Sequence, residues 1–218
     1  MKIQLIIVLG IILHMLSCSD KNNYKENNSV IPDSLYTFFP ETKHIKDANE
    51  YFRSSNAMVT SNDTVWFFSV TYNFRAYKFV NPKVLDSLVA KYRENCIAEF
   101  KVNTDSTYFI ISEKEEMKKL YELNNLERIY KMFKDKYMLP SFHSLMLDKY
   151  GYNYRFRTIC GLSEDYEILI IKSGREFVLP KNLDYNWYIL PPELKHGYTS
   201  GIAYSRKELD IIYWVIAW

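Results

Sequence analysis

The sequence predicts an α+β fold, with a mixed or antiparallel sheet, a helical middle and a C-terminal β-hairpin. Three stretches carry that expectation. Residues 64–80 read TVWFFSVTYNFRAYKFV, rich in the β-branched and aromatic residues that fit a pleated, half-buried surface. After them Val84, Leu85, Leu88, Val89 and Tyr92 recur at helical spacing behind Asn81-Pro82, and proline suits a first helical turn. Residues 209–218 read LDIIYWVIAW, apolar at successive positions, so that both faces of the strand must be covered.

In chain order, residues 35–40 (LYTFFP) begin the fold, and residues 47–54 are expected to form a short helix. The 64–80 segment is expected to give two strands broken near Asn73, followed by the helix from Pro82. Residues 97–102 and 107–112 form an expected hairpin around Asn103-Thr104-Asp105. Ser112 followed by Glu115 has capping-box spacing, in which each side chain satisfies an orphan backbone N–H, and it opens a charged helix over residues 113–123. A second helix over residues 126–137 places Ile129, Tyr130, Phe133 and Tyr137 on one side. Tyr150, Tyr152, Tyr154 and Phe156 then alternate with polar residues and glycine as in a strand, and residues 167–172 form an apolar strand ended by Ser173-Gly174. Residues 177–179 follow, and residues 201–204 and 210–218 make the final hairpin through Ser205-Arg206-Lys207-Glu208.

Lys plus Arg number 28 and Asp plus Glu 26, leaving no basic surplus of the kind that nucleic acid demands. Aromatic residues are abundant, with 19 Tyr and 13 Phe, while Gly numbers only 6, as expected of a packed domain.

The N-terminus reads MKIQLIIVLGIILHMLSCSDKNN. The apolar run over residues 3–16 is short of the roughly 20 residues needed to cross about 30 Å of hydrocarbon. One lysine before it and small residues after it are the layout of a secretory signal. Met15-Leu16-Ser17-Cys18 resembles the lipobox of bacterial lipoproteins, in which a small residue precedes the modified cysteine. The resemblance covers only these residues. It implies cleavage before Cys18, acyl chains such as palmitate on that cysteine, and a lipid anchor in the cell envelope, at the outer membrane. One chain anchors only marginally, at about 0.8 kcal/mol per buried CH₂, whereas several make a lasting tether. The expected organisation is a signal peptide over residues 1–17, a lipidated cysteine and flexible tether over 18–32, and a single α+β domain over 33–218. The Asn-rich tether spans ~20 Å as a random coil. Cys96 and Cys160 form the remaining pair, for which a disulfide and two buried free thiols are both open readings.

Motifs of local chemistry are missing. There is no HExxH, no paired-cysteine metal spacing, no glycine-rich phosphate loop and no G-x-S-x-G elbow, so neither metal nor cofactor is expected. Ser141 or Ser144, His143 and Asp148 could assemble a nucleophile, base and orienter, but a loop histidine capped by Ser141 explains the same residues. His196, in PPELKHG, reads as part of a turn. Candidate contact residues are Tyr185, Trp187 and Tyr188, since loop aromatics bring large area with few rotors. Arg155 and Arg157 join them, because a guanidinium fork suits anions. The leading expectation is a non-enzymatic envelope lipoprotein that binds another envelope protein, as an accessory or immunity-type module. A carbohydrate-binding lipoprotein comes second and an envelope hydrolase third.

Overall fold

The structure is a computed structural model, and it describes residues 33–41, 44–59, 68–102, 108–110, 126–143, 145–146, 158, 160–181 and 191–218. The elements among them are α1 (Asp33–Tyr36), β1 (Asn49–Val59), β2 (Phe68–Lys78), α2 (Pro82–Arg93), β3 (Ala98–Lys101), β4 (Tyr108–Ile110), α3 (Leu126–Phe133), β5 (Tyr137–Leu139), β6 (Glu167–Gly174), β7 (Tyr198–Ser205) and β8 (Asp210–Ala217). A short 3₁₀ turn, Pro192–Leu194, precedes β7. Six strands form one sheet in the order β1-β2-β8-β7-β6-β3, with every neighbouring pair antiparallel. β4 and β5 make a separate parallel pair. The mixed α+β character expected from the sequence is present, with the sheet dominant.

β8 lies between β2 and β7, and all eight of its residues are buried. Its even positions Ile212, Trp214 and Ile216 join a core with Tyr72, Phe74, Ala203 and Ile168, covered by Phe133, Phe142 and Leu145. Its odd positions Ile211 and Tyr213 face the other way, against Leu85, Val89 and Tyr92 of α2. Farther along that second face Val215 and Ala217 pack with Leu35, Phe38 and Phe39. The period-2 alternation of strand side chains therefore explains why a strand apolar at successive positions is central.

α2 starts where Asn81 Oδ1 accepts the Lys83 backbone N–H at 3.0 Å, with Pro82 in the first turn. Its buried residues Leu85, Val89 and Tyr92 line one stripe. The β7–β8 hairpin turns as expected, with Ser205 Oγ accepting the Glu208 N–H at 3.1 Å and Leu209 in a left-handed conformation, φ 54°.

Several local expectations are corrected. Residues 49–59 are a strand, not a helix over 47–54, because the stretch pairs along its whole length with β2, from Asn49↔Lys78 to Val59↔Phe68. β2 runs unbroken through Asn73, which pairs with Ser54 on one side and Val215 on the other. β3 and β4 do not pair with each other: β3 takes β6 and β4 takes β5. Phe100 is thereby buried, so core packing outweighs the local turn signal. α3 ends at Phe133, and Tyr137 belongs to β5. No strand forms at 177–179. The expected helix over 113–123 and strand over 150–157 fall on residues outside those described.

Candidate functional site

β2 presents Thr71, Asn73, Arg75 and Tyr77 at alternate positions on the α2-facing side of the sheet. Beside Arg75, at the paired position on β1, stands Phe52. The segment after α1 passes over this corner, and between them lies a cleft of about 260 Å³ lined by Tyr36, Phe39, Pro40, Glu41, Phe52, Asn73 and Arg75. Tyr36 and Phe52 form an aromatic rim, 47% and 53% exposed.

Asn73 is at the deep end, 1% exposed, and among the described residues neither its Nδ2 nor its Oδ1 has a hydrogen-bond partner. The charges around the cleft are matched. Arg75 Nε lies 3.2 Å from Glu50 Oε1, and the Tyr77 hydroxyl donates to the same oxygen at 3.2 Å. His44 Nδ1 is 3.6 Å from Glu50 Oε2. Lys91 Nζ donates to Glu41 Oε2 at 2.9 Å, and that bond holds the Lys91 ammonium above its usual range. The Tyr92 hydroxyl donates to the Glu41 carbonyl. Burial, ahead of the nearby Glu50 charge, raises Tyr77, and burial likewise raises Tyr92.

A second cluster, built on Arg93 in the last turn of α2, is occupied by its own contacts. Arg93 donates through Nε and Nη2 to the Glu99 carboxylate, and its Nη2 donates to the Tyr204 hydroxyl at 2.6 Å. Tyr204 donates to Glu167 Oε2 at 2.7 Å, and Arg206 Nε donates to Asp86 Oδ1 at 2.9 Å. Burial first, and the Glu167 carboxylate second, push the Tyr204 hydroxyl up to about 12. This network ties α2, β3, β6, β7 and the final hairpin together.

Ser141 Oγ and His143 Nδ1 are 2.8 Å apart, so two of the residues that could assemble a triad do meet. They meet as a local turn. The His143 N–H reaches Ser141 Oγ at 3.5 Å, and Phe142 between them is anchored in the core against Phe74 and Trp214. Gly161, at φ 88°, backs onto His143 where a Cβ would sit 2.6 Å from its backbone nitrogen. Ser144 and Asp148 lie outside the described residues. The His196 ring meets Phe177 edge-on, with centroids 4.6 Å apart, in the turn expected for it.

Cys96 and Cys160 are free thiols, so the disulfide reading is corrected. Cys96 packs on the α2 side with its Sγ 3.3 Å from the Arg93 carbonyl, while Cys160 is buried in the core of the opposite face beside Thr158 Oγ1. The sheet stands between them. Tyr185, Trp187, Tyr188, Arg155, Arg157 and Cys18 lie outside the described residues. Among those described, no group of three or more His, Cys, Asp or Glu could hold a metal ion, and no helix is long and apolar enough to cross a membrane.

Comparison with protein-family models, curated proteins and solved structures finds no match. Sequence reasoning passed over Asn73 by taking it as a strand break. Its usable signal was register: Thr71, Asn73 and Arg75 put polar groups at three successive inward positions of a strand that is otherwise aromatic and aliphatic.

Proposed function

We propose that this chain is a lipid-anchored protein of the bacterial cell envelope, held at the outer membrane through Cys18, whose α+β domain over residues 33–218 is a non-enzymatic module binding another envelope protein. The signal-like N-terminus with Ser17-Cys18 supports the anchor. The observation that carries the binding role is β1. It is an 11-residue strand at the edge of the sheet, and among the described residues it is paired on one side only, with Phe52 exposed on it. Long edge strands offer a row of unpaired N–H and C=O groups to which another chain's strand can add.

The test uses the full tagged chain, captured from solubilised envelope. Successive residues of a strand point their N–H groups to opposite sides, so proline at Ser54 or, in a second variant, at Ser55 breaks either the β1–β2 ladder or the outer edge alone. One of the two is expected to fold as the parent does and to lose a stoichiometric protein partner. Capture by both folded variants, or no partner at all, overturns the reading. Cys18→Ala is expected to release the chain from the membrane, and continued partition of a matured Cys18→Ala chain overturns the anchor.

A further inference from the structure

We infer that the cleft over Asn73 is a binding site for a single neutral sugar ring, held through two adjacent hydroxyls by the Asn73 carboxamide. This site is separate from the backbone edge of β1 and stands whether or not that edge takes a partner.

The starting point is the carboxamide itself. Buried side-chain polar atoms nearly always find partners, and one that does not calls for an explanation. Asn73 is 1% exposed, carries both a donor and an acceptor without partner, and lines an open cleft. Both atoms are covered by their neighbours in this structure, so a group entering the cleft completes them by drawing the carboxamide toward it. A carboxamide sets a donor and an acceptor side by side, and a vicinal pair of hydroxyls answers it, because each hydroxyl both donates and accepts.

Three further observations narrow the class. The cleft, at about 260 Å³, falls below the roughly 300–1,000 Å³ typical of sites for drug-sized molecules, so it takes one ring rather than an extended ligand. The charges on its walls are paired within the protein, Arg75 with Glu50 and Glu41 with Lys91, so the site has no net charge to attract an ion. The rim is aromatic, with Tyr36 from the α1 side and Phe52 from β1. A pyranose has the matching anatomy of an apolar C–H face and a polar hydroxyl edge. An aliphatic ligand would leave Asn73 unanswered, and an anion would have to displace Glu50 from Arg75.

The experiment is saturation-transfer NMR on the full chain in detergent micelles, with glucose, galactose, mannose and N-acetylglucosamine as probes, and acetamide and glucuronate as controls. At least one neutral hexose is expected to receive saturation at its ring C–H protons, with saturable, competable binding. Asn73→Leu should weaken it more than about tenfold while the melting temperature rises. Phe52→Ala, a substitution at an exposed edge position, should weaken it without unfolding the chain, and it carries the test if Asn73→Leu does not fold. The inference is overturned if no neutral hexose binds, if binding persists in both variants, or if acetamide or glucuronate competes as well as the best hexose. The last outcome would identify a site for an amide side chain or an acid instead.

Discussion

Asn73 and Gly201 show how single residues set the limits of this fold. An unsatisfied buried polar group costs about 1–3 kcal/mol, so Asn73→Leu should raise stability by that order in urea denaturation, even as it removes the carboxamide. An unchanged or lower midpoint would mean that Asn73 is satisfied in solution. Gly201 has the opposite dependence on its side chain. It lies in β7 opposite Trp214, and a Cβ there would run into the Leu169 carbonyl of β6 and sit 3.0 Å from the Trp214 ring. Gly201→Ala is therefore expected to force β6 and β7 apart or tilt Trp214, with a lower melting temperature and altered tryptophan fluorescence. Neither residue could be read from sequence by type. A lone asparagine in a strand also signals a break, and a glycine's neighbours are known only once the strands are paired.

The legibility of each element follows how local its determinants are. α2 was evident because everything that makes it lies within its own residues: the Asn81 cap, Pro82, and the Leu85, Val89 and Tyr92 stripe. Asn81→Ala should cost about 1 kcal/mol in denaturant titration, and a much smaller loss would show that packing on the sheet alone holds that end. β7 and β8 were legible for the same reason, with a short turn between two apolar strands. β1 was not. NEYFRSSNAMV has weak intrinsic preference for either state, and only the complete register with β2 makes it a strand. β3 and β4 are legible as strands but their partners are not, since the turn-like Asn103-Thr104-Asp105 is visible locally and the distant β6 and β5 are not.

Across the whole molecule the high tyrosine content has a physical role. Tyr77, Tyr92, Tyr204 and Tyr213 share one core on the α2 side, and the first three carry their hydroxyls out to Glu50, the Glu41 carbonyl and Glu167 at its margin. On the other face the Tyr166 hydroxyl donates to buried Asp210 at 2.5 Å. Such side chains fill volume while their tips find partners at the rim. Burial raises all four phenols of the α2-side core, and most strongly Tyr213, which lies against Tyr92 and Tyr77. For Tyr204 the folded value of about 12 exceeds the ordinary 10.0, so the folded state holds the proton longer than the unfolded chain does. The resulting stability is fully present below pH 10 and is lost as pH climbs toward 12. Tyrosinate absorbance from these residues should appear together with loss of tertiary structure, and Tyr204→Phe should make the melting temperature fall less steeply over that window. Free titration of every tyrosine near its ordinary value, with the fold intact, would contradict the burial described here. None of this coupling was visible in composition alone, which showed many tyrosines but not that four of them meet.

The central place of β8 also constrains the order of events in time. β2 receives its inner neighbour only from β8, although α2 and strands β3 to β7 intervene along the chain. A chain that emerges N-terminus first from a ribosome, at roughly 5–20 residues per second, has its β1–β2 hairpin exposed for several seconds before that neighbour exists. An isolated hairpin is marginal in water, and contacts of such long sequence separation form slowly. The six-stranded sheet is therefore expected to be completed only after β8 has emerged, because β1 and β2 meet the other strands through β8 alone.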